Sequence, residues 1–235
     1  MAEWWDKLGT DIAVHTVEHL FLTVVSLGLA AAVAIPLGVV LARTRHQRVS
    51  SGVLGAAALF QTIPSLAMLA LMLVLFLLIN HLWGGAQWYE EGGLLPTVGV
   101  LPAIAALVLY ALLPILRNTY TGIRQVDPAV IEVASAMGMT RRQVLLKVEL
   151  PLALPVIMSG VRISAVWTIG VATLCALVGA GGLGDLIMIG LRSYKIDYLI
   201  AGTIPAALLA LVFDGTMSLF ERWLTPAGLR DRGRE

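Results

Sequence analysis

A single cysteine, Cys175, in a chain of 235 residues leaves no partner for an intrachain disulfide, and its apolar surroundings make a cysteine-based metal site a poor reading. Charge is scarce as well. Asp, Glu, Lys and Arg make up 13% of the chain and hydrophobic residues 58%, whereas a soluble domain carries about 25% charge. Sixteen basic residues against 15 acidic ones leave a formal net charge of +1, which gives no global attraction to nucleic acid or to an acidic substrate. No glycine-lysine dipeptide occurs, so the chain has no Walker A loop to cradle nucleotide phosphates. Nor does a nucleophile stand near a base or a second carboxylate at plausible spacing, so chemistry on a substrate is not indicated.

What the chain does have is apolar length. Crossing hydrocarbon takes about 20 helical residues, and five runs meet that need, over residues 20–42, 53–79, 97–116, 154–178 and 199–219. The expected fold is an all-α integral membrane protein. The first run is too long for a signal h-region, and Glu3, Asp6 and Asp11 oppose a lone Lys7 before it, so it is expected to be retained. Arg43, Arg45, His46 and Arg48 follow the first run, and Arg117 and Arg124 follow the third. Residues 80–96 contain no lysine or arginine but do contain Glu90 and Glu91, with Trp83, Trp88 and Tyr89 as interfacial belt candidates, as Trp4 and Trp5 are near the start. Twelve basic residues fall on one set of loops and three on the other. By the positive-inside rule the N-terminus is out and the C-terminus in.

Polar residues inside the runs are few, which makes them informative. Gln61-Thr62-Ile63-Pro64-Ser65 interrupts the second run near mid-depth, where proline breaks a helix and the freed groups need protein or a water-filled path. Tyr110 lies in the third run, Arg162, Trp167, Thr168 and Thr173 in the fourth, and Asp214 in the fifth. Arg162 and Asp214 fall at similar depths, and a charge inside a bilayer costs at least about 2.5 kcal/mol. They are expected to pair, the alternative being that Arg162 snorkels to headgroups.

Between the third and fourth runs stands a polar stretch, residues 125–151, containing EVASAMGMTRRQVLLKVELP. Asp127 and Pro128 form an N-cap and first helical position, predicting a helix over 128–137. Gly138 stops it, and Thr140 with Gln143 forms a capping box for a second helix expected to end before Pro151. Val130, Val133, Ala134 and Met137 share a face by the i, i+3, i+4, i+7 rule. The stretch resembles the EAA loop of permease subunits of bacterial ATP-binding-cassette importers. That pattern is met by Glu132, Ala134, Gly138, Leu150 and Pro151, while Val133 replaces its middle alanine and Val148 its isoleucine. QTIPSLAML, residues 61–69, also resembles the equivalent segment in permeases for osmoprotectants such as glycine betaine, choline and carnitine.

The resemblance implies a type I ABC importer permease fold in the bacterial cytoplasmic (inner) membrane, without a cofactor, in which residues 125–151 dock on a cytoplasmic ATPase. It further implies ATP-binding ABC subunits, a second permease subunit of the same or a homologous chain, and an external substrate-binding protein, with membrane lipid around them and no nucleic acid. The translocation path would pass Gln61, Thr62, Pro64 and Ser65, and a quaternary ammonium cation would favour aromatic faces, making Tyr110 and Trp167 candidates. Helix packing is the plainer role for both. The run Gly179-Ala-Gly-Gly-Leu-Gly184, continued by Asp185 and Leu186, resembles the family's loop between the last two spans, with Asp185 an acidic outer mouth or merely a helix cap.

Two short patterns point elsewhere. His15-Thr-Val-Glu18-His19 matches H-x-x-E-H, which in zinc enzymes places two histidines one turn apart beside a glutamate; no third ligand is evident. An intramembrane metalloenzyme is thus an alternative function, as is an importer of another small solute such as methionine. Gly179 to Gly184 also matches G-x-G-x-x-G after the strand-like VATLCALV, but a preceding membrane helix removes the βαβ unit that dinucleotide binding needs.

Overall fold

The computed structural model describes residues 2–83 and 95–224, with side chains from Leu8 onwards apart from those of residues 222 and 224. Among the described residues all regular structure is helical: α1 (Ala2–Arg43), α2 (Gln47–Thr62), α3 (Ser65–Trp83), α4 (Val100–Arg124), α5 (Pro128–Ala136), α6 (Arg141–Val144), α7 (Leu150–Ala172), α8 (Leu183–Ser193) and α9 (Ile196–Leu224). Five stretches among the described residues are long and apolar enough to cross a membrane: Leu8–Arg43, Ser65–Trp83, Val100–Arg124, Arg141–Val178 and Ile196–Glu221. The side chains of Trp4 and Trp5, residues 84–94 with Trp88, Tyr89, Glu90 and Glu91, and the tail from residue 225 lie outside the described residues.

The run expected as one span over 53–79 is two helices. Ile63 takes φ −73° and ψ 126°, the extended conformation that a following proline imposes, and α2 stops there. Tyr110 Oη donates a hydrogen bond to the Ile63 carbonyl left free by the break, and Gln61 Nε2 donates to the Tyr110 carbonyl at 3.3 Å. Thr62 Oγ1 returns to the Leu59 carbonyl at 2.7 Å. Only α3 then has the length to cross.

The helix expected to end before Pro151 instead runs on. Residues Leu145–Glu149 form a π-turn between α6 and α7, with the Leu150 N–H bonded to the Leu145 carbonyl. Widening the turn absorbs the ring and missing N–H of Pro151, which a regular helix would not accommodate. The strand-like VATLCALV is likewise helical, its last six residues, Thr173–Val178, forming a 3-10 turn.

Helices α1, α4 and α7 make the centre, with α2 and α3 against α4, and α9 against α7 and α8. The core between them is largely alanine: Ala30, Ala34, Ala106, Ala111, Ala165 and Ala172 are buried beside Leu107, Ile115 and Leu116. Lipid tails are as apolar as leucine, so helices in a membrane associate by close packing of small residues and not by hydrophobicity. Gly160 shows how close. A Cβ there would lie 2.6 Å from the Asn118 Cβ and 2.8 Å from the Pro114 carbonyl oxygen, so α4 and α7 touch through backbone at this point.

Candidate functional site

Three groups of side chains stand out, one at each end of the bundle and one within it. At the arginine-rich end, Asp127 Oδ1 caps α5 by accepting the Ala129 N–H at 2.9 Å. Gly138, at φ +84°, closes it in a Schellman turn: its N–H bonds to the Ser135 carbonyl at 3.0 Å, and the Met139 N–H bonds to Ala134 at 3.2 Å. The Thr140–Gln143 box has both of its hydrogen bonds, at 2.8 and 3.3 Å. Ala134 is buried, whereas Val130, Val133 and Met137 are 41%, 61% and 75% exposed. Glu132 is exposed as well, and Leu150 and Pro151 are half-buried at the start of α7. The amphipathic face of α5 together with its C-cap residue Met137 thus presents three large apolar side chains that none of the described residues covers.

Arg43, the last residue of α1, ties this stretch to the bundle. Its Nε lies 3.6 Å from Glu149 Oε2, and its Nη2 donates to the Arg141 carbonyl at 3.2 Å. Glu149 is 7% exposed and sits in the π-turn. Beside it, a hollow of about 670 Å³ is lined by Arg43, Arg45, Ile131, Ser135, Arg141 and Glu149, among others. Charge was legible in the sequence here, but the Arg43–Glu149 contact was not, since 106 positions separate the partners.

Within the bundle, Arg162 meets Asp214. Its Nη2 donates to Oδ2 at 2.6 Å and its Nε to Oδ1. Trp167 stands near them, 65% exposed. Tyr110, the other aromatic candidate, is half-buried with its hydroxyl on the Ile63 carbonyl, so it props open the α2–α3 break. Gln61, Thr62 and Pro64 are exposed beside that break and Ser65 is half-buried.

At the opposite end, the glycine run is a tied turn. Glu18 Oε2 accepts the Gly182 N–H at 2.9 Å and lies 3.0 Å from His15 Nδ1. His19, fully buried, instead donates Nε2–H to the Ile169 carbonyl at 3.0 Å. The two imidazoles of the H-x-x-E-H pattern therefore turn to different partners, and the described residues contain no group of three histidine, cysteine or acidic side chains placed to hold a metal. Asp185 falls in the first turn of α8, whose N-cap is Gly182. Burial holds its carboxyl above the usual range, Glu18 adding to the effect and His15 and Arg192 opposing it.

Comparison with known proteins gives the same direction from several sources. The choline transport system permease protein OpuBB of Bacillus subtilis (strain 168) is 42% identical over 94% of this chain and 92% of its own length. The carnitine transport permease protein OpuCB of Listeria monocytogenes is 43% identical over 97% and 94% respectively. Among solved structures, a chain of the MetNI methionine ABC transporter in an inward-facing conformation superposes with a TM-score of 0.75 at 25% identity, over 92% of this chain and 97% of that one. Residues 34–226 match the family described as binding-protein-dependent transport system inner membrane component. The chain belongs to that family: it is a multi-pass inner-membrane protein, a permease of the ABC importer class.

Proposed function

We propose that this permease forms the translocation path of an ATP-driven importer for a quaternary-amine osmoprotectant, and that residues 125–151 couple it to a separate ATPase. The observation that carries the coupling is the exposed Val130, Val133 and Met137 face on a helix closed at both ends by its own caps. An apolar face of this kind in water calls for a partner. Arg43 and Glu149 would carry its movement into α1 and α7. In this reading Glu132, Val133, Ala134, Gly138, Leu150 and Pro151 form the docking element on the cytoplasmic side. The N-terminus is then out, and the Glu18–Gly182 turn lies at the outer mouth, with Asp185 beside it.

ATP hydrolysis belongs to the partner subunits, and an external binding protein delivers the solute. Five spans are few to enclose a path alone, so a second permease chain, identical or homologous, completes it. The path would run past Gln61, Thr62, Pro64 and Ser65 at the α2–α3 break. Choline and carnitine permeases are over 40% identical along nearly the whole chain, against 25% for the methionine transporter, which favours the osmoprotectant over methionine. The test is ATP-dependent uptake of radiolabelled glycine betaine, choline and carnitine by cells carrying the whole gene cluster, beside a Gly138→Asp permease. Uptake by the wild type and its loss in the variant, at equal membrane levels, is expected. Equal uptake by both would contradict the coupling role, and failure with all three solutes would discard the osmoprotectant.

A further inference from the structure

Arg162 and Asp214 are paired but not shut away: their side chains keep 38% and 35% of their exposure. Together with Ser159, Ile163, Val166 and Trp167 they line a cavity of about 360 Å³, within the roughly 300–1,000 Å³ usual for small-molecule sites. Val166 and Trp167 also wall a neighbouring cavity of about 330 Å³ that reaches Gly170 on α7 and Ser65 just past the α2–α3 break. The two hollows share Val166 and Trp167 as a common wall. Both charges lie within the membrane-crossing stretches Arg141–Val178 and Ile196–Glu221. Charges this open make water or a polar solute a better occupant of the hollow than hydrocarbon.

The chemistry of the walls is specific. Asp214 occupies Nε and one Nη2 hydrogen of Arg162, and a guanidinium has five donors, so others remain for an anion. A quaternary ammonium group has no hydrogen to donate and is held by aromatic faces and negative charge, which Trp167 and Asp214 supply. Glu221 adds a second carboxylate within electrostatic reach of Arg162, but the ion pair by itself is a fixed dipole with no net charge. A solute carrying a carboxylate at one end and a trimethylammonium group at the other complements both of its poles; a simple cation engages only one.

Resting on the importer reading above, we propose that this cavity is a transit subsite for zwitterionic quaternary ammonium compounds, with the carboxylate on Arg162 and the ammonium between Trp167 and Asp214. Arg162 then sorts zwitterions from cations, while Trp167 serves both.

The test compares maximal uptake of glycine betaine and of choline by the intact importer, with permease levels in the membrane matched. Arg162→Gln/Asp214→Asn removes both charges together and leaves neither buried alone. Losing an Arg–carboxylate contact is expected to lower glycine betaine uptake at least about tenfold relative to choline. Trp167→Ala should lower both about tenfold, and Trp167→Phe should keep both within about threefold of wild type. An equal fall for both compounds in the double variant would make the pair structural and overturn the proposal, as would unchanged uptake in Trp167→Ala. A wild-type importer that takes up neither compound would overturn the osmoprotectant reading itself, and this proposal with it.

Discussion

At the arginine-rich end, every cap of α5 and α6 comes from within five residues of the group it satisfies: Asp127 on Ala129, Met139 on Ala134, Thr140 and Gln143 on each other. At the opposite end the glycine turn has local bonds as well, Gly179 to Ala176 and Ala180 to Cys175, but it is also fastened from afar, Gly182 to Glu18 across 164 positions, beside the tie of His19 to Ile169 in α7 across 150. The first stretch carries its shape with it, which would let it keep its apolar face if it moved as a coupling element, with Arg43 joining it to α1. The second adds to its local bonds a tie to α1, through Glu18, that depends on how the helices are spaced. A locally closed element suits docking; a remotely tied one suits a part whose position reports the state of the bundle.

Breaking each kind of closure separates them. Glu18→Ala leaves the buried Gly182 N–H without its acceptor, a cost of about 1–3 kcal/mol. The expected result is a lower unfolding temperature of the whole protein in detergent, with Glu18→Gln, which keeps an acceptor, closer to wild type. Asp127→Ala removes one N-cap, worth about 1 kcal/mol. Its effect should stay local, read as faster amide exchange over residues 128–136 with the unfolding temperature nearly unchanged. The smallest effect is expected from Asp185→Asn. Burial raises the carboxyl's pKa, so the native state holds its proton more tightly than the unfolded chain does. Stability of the wild type relative to the variant therefore falls as pH rises from the ordinary carboxylate value through the raised one. At neutral pH Asp185→Asn should be the more stable protein, with the difference vanishing in acid; a less stable variant at neutral pH would contradict this.

The same contrast explains what the sequence could tell. The caps at Asp127, Gly138 and Thr140 were legible because each is a short-range pattern with one physical cause. The proline at 64 announced a break, but not that Tyr110 would close the carbonyl it freed, 47 residues away. Pro151 was misleading: a proline stops a regular helix, and nothing local signalled that a π-turn would let Arg141–Val178 continue. Glu18 and His19 were noticed for the wrong reason, as a metal pattern. Their use as ties to Gly182 and Ile169 depends on how three helices meet, which no spacing within one segment records. Depth and charge brought Arg162 and Asp214 to notice, while the hollow beside them emerged only with the fold.

The claim at the centre of this account is that the exposed face of α5 is where the ATPase docks. Met137→Glu places a charge on that face at its most exposed apolar position; Met137 is the C-cap residue of α5, but it caps through its backbone N–H, which the substitution keeps. Measured side by side, retention of the ATPase during purification of the importer and uptake by the intact cells should both be lost, with the permease still present in the membrane. A Met137→Glu importer that keeps its ATPase and transports at the wild-type rate would contradict the account.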